Sequence, residues 1–175
     1  MSLLPIIIVP DPVLKETAKP IETITEAVKK QAQDMLDTMY DAPGVGLAAN
    51  QVGMLNRMFV MDTKYKKAPE SRKPIVMINP EIVWRSDELS IMEEGCLSIP
   101  QQYAEVERPK IVRVRYIDLT GQFQEVESDD ELMSHCIQHE LDHLNGILFI
   151  DYLSRLKRNM ILRKVDKMRK DGAIL

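Results

Sequence analysis

Residues Gln138-His139-Glu140-Leu141-Asp142-His143 spell H-E-x-x-H. On a helix, two imidazoles four positions apart project from one face and can hold one metal ion. The Glu between them stands where it can handle a proton. The flanking sequence predicts that helix. Ser128 followed by Glu131 reads as a capping box, apolar residues recur at Met133, Ile137, Leu141 and Leu144, and Gly146 closes the run. The chain has three histidines, at 135, 139 and 143, and all lie in this stretch. That clustering favours a site over the bland alternative, an exposed helix turn carrying two histidines and some acids. The motif points to a metallohydrolase acting on an amide-like carbonyl.

Working outward, Thr23 and Glu26 form a second capping box, and Ile24, Val28, Ala32, Met35 and Met39 follow at helical spacing until Pro43-Gly44. Short strand-like runs come next: Arg57 to Met61, Pro74 to Asn79, Ile82 to Arg85, Ile111 to Ile117 and, after a turn at Gly121, Phe123 to Val126. Leu3 to Val9 reads as a first strand, and Lys64 to Lys73 as a mobile loop. Leu156, Met160, Ile161, Val165 and Met168 mark a final amphipathic helix. The order predicts an α+β fold: mostly antiparallel strands around a central H-E-x-x-H helix, with an amphipathic C-terminal helix.

At 175 residues the chain suits one domain spanning 1–175 with a sizeable core. No apolar run approaches the roughly 20 residues of a membrane span, and Leu3 to Val9 lacks the flanks of a signal peptide. Two distant cysteines make no disulfide framework, so a reducing, cytoplasmic location is expected. The net charge of -4 hides eight Lys/Arg against one acid between Leu153 and Lys170. That helix is either a solvated basic face or a docking surface for an acidic partner, including RNA. Nothing suggests specific DNA recognition.

Gly44-Val45-Gly46-Leu47-Ala48-Ala49 mimics a dinucleotide fingerprint, but a helix precedes it where a strand is required. Its glycines let the backbone come close to another chain or a ligand. Gln51 follows, an amide that can donate and accept. Cys136 reads as a small buried apolar residue. Cys96, in Glu94-Gly95-Cys96-Leu97-Ser98, differs: H-E-x-x-H supplies two ligands, a catalytic metal wants a third, and a thiolate from a neighbouring segment could complete it.

Taken together, the three segments Gly44-Val45-Gly46-Leu47-Ala48-Ala49-Asn50-Gln51, Glu94-Gly95-Cys96-Leu97-Ser98 and Gln138-His139-Glu140-Leu141-Asp142-His143 resemble the peptide deformylases, in order and over nearly the whole chain. The resemblance implies removal of the formyl group from the N-terminal formyl-methionine of newly made proteins, with release of formate. It implies Cys96, His139 and His143 as ligands of one divalent metal, typically Fe2+ in that family, with Zn2+, Ni2+ or Co2+ able to take its place. It implies Glu140 as general base and then acid, and the Gln51 amide with the backbone N–H of Leu97 as donors to the developing oxyanion. By the same resemblance, the methionine side chain and peptide meet Val45, Gly46, Met92, Glu94, Leu132, His135 and Cys136, with Arg108 near the peptide chain. Leu132, His135, Cys136 and His139 share one helix face, which agrees.

His135 departs from the family pattern, which more often has an apolar residue there. It is expected in the pocket wall, affecting side-chain preference and not the metal, or as a satisfied helix histidine. Asp142 either orients a ligand, pairs with an arginine or is a plain surface acid. Two rivals stand beside the deformylase reading: an H-E-x-x-H metallopeptidase, whose third ligand is normally His or Glu, and a non-catalytic metal-binding or ribosome-associated relative, against which the presence of Cys96, Glu140 and Gln51 argues. The basic helix could add ribosome contact to catalysis. No transit peptide is visible, which favours a bacterial cytoplasm over an organelle.

Overall fold

The computed structural model describes residues 2–174. Its main layer is a five-stranded antiparallel sheet in the order β1 (Gly46–Ala48), β2 (Met58–Met61), β3 (Ile75–Arg85), β6 (Val112–Ile117), β7 (Phe123–Glu127). A separate antiparallel hairpin joins β4 (Leu89–Cys96) to β5 (Ile99–Pro109). Three α-helices complete the fold: α1 (Glu26–Asp41), α2 (Glu131–Leu144) and α3 (Arg155–Lys170).

Period-two alternation explains how the sheet takes a helix on each face. Leu47, Met58, Val60 and Ile78 pack with Met35 and Met39 of α1. Ala48, Phe59, Met61 and Met77, one residue out of phase, pack with Met133, Cys136 and Ile137 of α2. Strand β2 is buried at every position, which is why Met-Phe-Val-Met reads as a continuous apolar run. On the far side of α2 lie the hairpin and the C-terminal segment, where Val9, Leu14, Ile99, Val106, Phe149, Ile161 and Val165 form another core. Helix α2 is therefore enclosed from two sides. Ten of its fourteen residues are buried, among them His135, His139, Glu140 and His143, so its polar face looks into the protein.

Several local expectations need correction. Thr25, not Thr23, caps α1 by accepting from the Val28 N–H. Asp130, not Ser128, caps α2 by accepting from Met133 N at 2.7 Å. Ser128 is still engaged with β6, donating its N–H to Val112 O and accepting the Val112 N–H on Oγ. Pro74–Asn79 and Ile82–Arg85 belong to one strand, β3. The Asn79-Pro80 break sits at a register shift between Ile78 and Glu81, where a missing N–H costs no ladder bond. Leu3–Val9 is extended but forms no strand: Ile7 donates to Gln51 O and Val9 to Ser98 O. The loop after β2 is tied down by Asp62, which accepts the N–H groups of Lys64, Tyr65 and Lys73. Helix α3 begins at Ser154, whose Oγ accepts from Lys157 N, and buries Ile161 and Val165.

Helix α2 is capped by Asn145 and followed by Gly146, which has φ +72° and lies against the backbone of Lys15. A Cβ there would collide with the Lys15 carbonyl in a conformation that L side chains rarely adopt. Gly146→Ala is expected to lower unfolding stability by about 2 kcal/mol. Urea denaturation measures it, and an unchanged midpoint would show that this close approach relaxes freely.

Candidate active site

One turn of α2 separates His139 from His143 and places their ring centroids 5.0 Å apart. Cys96, the last residue of β4, faces them, its Sγ 3.3 Å from His143 Nε2. One ligand atom from each of Cys96, His139 and His143 falls within 4.8 Å of the others, so two segments far apart in sequence, the end of β4 and one turn of α2, meet at one point.

The electrostatics of this cluster fit a cation. Burial disfavours a charged His139, but the Cys96 sulfur and the Glu94 and Glu140 carboxylates outweigh it and hold the ring's proton affinity well above the ordinary histidine value. Burial, and then the charge on His139, push His143 well below it. The cluster thus attracts positive charge at one place, and a divalent ion supplies it with a sulfur and two imidazoles as donors. Glu140 Oε2 is also buried without a hydrogen-bond partner, a costly state for a polar atom unless another species shares the site. Burial pushes the Glu140 carboxyl up to about 7, against the lowering effect of His139. A group in that range can take a proton and return it near neutral pH.

Gln51 is buried under the same cluster. Its Oε1 accepts from Ala48 N at 3.0 Å, which turns the amide nitrogen toward Cys96 Sγ at 3.4 Å and Ser98 Oγ at 3.1 Å. The glycines before it serve close approach. A Cβ on Gly46 would lie 2.9 Å from the Glu140 side chain, and one on Gly44 would lie 2.7 Å from Leu97. Backbone and catalytic helix touch there because neither glycine carries a side chain.

A cavity of about 390 Å³ opens beside the cluster. Val45, Gly46, Met92, Leu132, His135 and Cys136 line it, with Gln51, Glu94, Cys96, Leu97, His139 and Glu140. Arg108 does not line it, contrary to expectation. It is 4% exposed and fully engaged: Nε and Nη2 grip Glu94 at 2.7 and 2.9 Å, and Nη1 reaches Asp142 at 2.9 Å. Asp142 is thus an arginine partner, and it also accepts the Tyr152 hydroxyl at 2.7 Å. Glu94 meets the cavity, but its oxygens point to Arg108, His135 and His139. Burial alone would raise the Glu94 carboxyl, yet hydrogen bonds from His135, His139 and Arg108 hold it well below the usual carboxylate range. His135 has both nitrogens partnered and its Nδ1 turned to Glu94, so it is no third imidazole of the cluster. Sequence reasoning missed Ser90, Tyr152 and the supporting role of Ser98. Ser98 stood inside a recognised motif, whereas Ser90 and Tyr152 carried no local signal.

A family model described as Polypeptide deformylase matches residues 3–159. A peptide deformylase of Bartonella henselae is 55% identical over 171 residues, covering 98% of this chain and 96% of that protein. One from Mesorhizobium japonicum is 53% identical over 173 residues, covering 99% and 97%. The crystal structure of a peptide deformylase from Legionella pneumophila matches with a TM-score of 0.91 at 43% identity, over 99% of each chain. That of peptide deformylase from Ehrlichia chaffeensis in complex with actinonin matches at 0.90 and 37% identity, over 95% of this chain and 98% of the other. With a full-length match in sequence and fold, the chain belongs to the polypeptide deformylase family, hydrolases that remove the N-formyl group from newly synthesised polypeptides.

Proposed function

We propose that residues 1–175 act as one catalytic domain in which Cys96, His139 and His143 hold a single divalent ion beside Glu140 and Gln51. The observation that carries this reading is the convergence of those three donor atoms within 4.8 Å, beside a cavity that Cys96 and His139 help to line. When bound, such an ion makes water a stronger nucleophile near neutral pH and polarises the formyl oxygen. Glu140 accepts the proton that water gives up as it adds to the formyl carbon. Glu140 then delivers that proton to the departing nitrogen, so that formate and a free amine result. The Gln51 amide and the Leu97 backbone N–H donate to the oxygen on which negative charge grows. The third donor is a cysteine, so the metallopeptidase alternative keeps no support.

The formyl-methionine side chain enters the cavity between Val45, Met92, Leu132 and Cys136, an apolar lining suited to an unbranched thioether. The peptide extends along β1, which among the described residues pairs only with β2 and leaves its other edge for an added strand. Gly46 brings that edge against Glu140. The native ion is Fe2+, with Zn2+, Ni2+ or Co2+ as substitutes; a thiolate with two imidazoles accommodates each of them. The site of action is the cytoplasm, where formylated chains are made. Among the described residues no helix is long and apolar enough to cross a membrane.

Helix α3 lies mostly beyond the residues matched by the family model and exposes Arg155, Lys157, Arg163, Lys164, Lys167 and Lys170. That basic face meets the ribosome through its RNA phosphates. Removing the helix would also strip Ile161 and Val165 from the core, so charge reversal is the cleaner probe.

Gln51→Leu is expected to keep the metal and lose roughly 10²–10³ in turnover; near-normal formate release from it would remove Gln51 from the mechanism. Cys96→Ala should purify without stoichiometric metal, and a full complement would displace Cys96 as a ligand. Anaerobically purified protein should contain iron, and zinc alone under those conditions would contradict the assignment of the native ion. Reversing Lys157, Lys164 and Lys167 to Glu should abolish salt-sensitive co-sedimentation with ribosomes while formate release persists. Undiminished co-sedimentation would end the docking idea.

A further inference from the structure

The Glu94 carboxylate has about four lone-pair directions, and all four are taken. Oε2 accepts Arg108 Nε at 2.7 Å and pairs with His135 Nδ1 at 2.6 Å; Oε1 accepts Arg108 Nη2 at 2.9 Å and pairs with His139 Nδ1 at 2.9 Å. A carboxylate only accepts, so both histidines carry their proton on Nδ1. For His139 that leaves the Nε2 lone pair for the cluster. For His135 it leaves Nε2 as an acceptor, and the Ser90 hydroxyl lies 2.8 Å from it. The chain of donors therefore runs in one direction, from Ser90 to His135 to Glu94.

We propose that His135, held by Ser90, is a positioning residue for the metal centre: it locks the Glu94 carboxylate and through it fixes the tautomer and orientation of His139. This rests on the reading of Cys96, His139 and His143 as the metal ligands. It goes beyond both expectations for His135, a pocket-wall residue or a satisfied helix histidine. Both ring nitrogens are spent inside the protein, so the ring offers the cavity no polar atom. The same distances describe a Ser–His–acid line of the kind that activates a nucleophile. Ser90, however, is 8% exposed and outside the cavity lining, and its acid is shared with Arg108 and His139. The arrangement is built for support.

Groups that orient a metal-bound histidine typically change metal affinity by 10–100-fold when removed. The test titrates Co2+ into metal-free wild type, His135→Leu, His135→Asn, Ser90→Ala and Cys96→Ala, reading affinity by chelator competition and geometry by the visible spectrum. His135→Leu should bind Co2+ about tenfold more weakly with an altered spectrum. His135→Asn, whose amide can still donate to Glu94, should recover most of both, a rescue that simple loss of packing would not show. Ser90→Ala should give a smaller loss in the same direction. Wild-type affinity and spectrum in His135→Leu, alongside loss of binding in Cys96→Ala, would overturn the role of His135 and leave the ligand assignment standing. Wild-type binding by Cys96→Ala would overturn the assignment itself. Should the leucine variant fail to fold, Ser90→Ala decides: weaker binding in a folded protein supports the proposal, and unchanged binding contradicts it.

Discussion

The Glu94 carboxylate, buried where the β4–β5 hairpin meets α2, is the constraint on which the rest of the site depends. An uncompensated charge at that depth would not survive, and removing one partner of a buried pair costs about 3–5 kcal/mol. Arg108 from β5 supplies the countercharge, His135 and His139 from α2 add hydrogen bonds, and Asp142 holds the arginine in place. The hairpin is thereby fastened to the helix by charge and hydrogen bonds where elsewhere the fold uses apolar packing. Fastening it brings Cys96, two residues beyond Glu94 on the same strand, to the two histidines of the helix.

The layered fold serves the same end. Enclosing α2 between the five-stranded sheet and the hairpin removes water from its polar face, which strengthens every charge interaction there. That burial raises the Glu140 carboxyl and leaves one of its oxygens without a protein partner. The glycines of the first motif let β1, at the edge of the sheet, run against the helix beside the Glu140 carboxylate. Core, sheet edge and Glu140 are fixed by one set of contacts.

The residues that meet at the cluster were legible in the sequence because they sit at short, characteristic spacings: His139 and His143 on one helix face, and Cys96 and Gln51 inside compact motifs. The β4–β5 hairpin was not. Its alternation is inverted: Leu89, Ile91 and Tyr103 face solvent, while Ser90, Glu94 and Arg108 face inward to the buried network. Helix starts were misplaced by two residues because several Ser, Thr and Asp compete at each. At α2 the winner was settled by β6, which engages Ser128 and leaves Asp130 to cap. Arg108 was misjudged because Asp142, which helps withdraw it from the cavity, is 34 residues away in sequence and adjacent only once the chain is folded.

The central claim is that Glu140 moves the proton while other residues hold the metal. The most direct test is formate release from formyl-Met-Ala-Ser by anaerobically purified wild type and Glu140→Gln, with metal content measured on both. The account predicts equal metal content and a turnover loss of roughly 10²–10⁴-fold in the variant. A fully metallated variant that releases formate at the wild-type rate would contradict it.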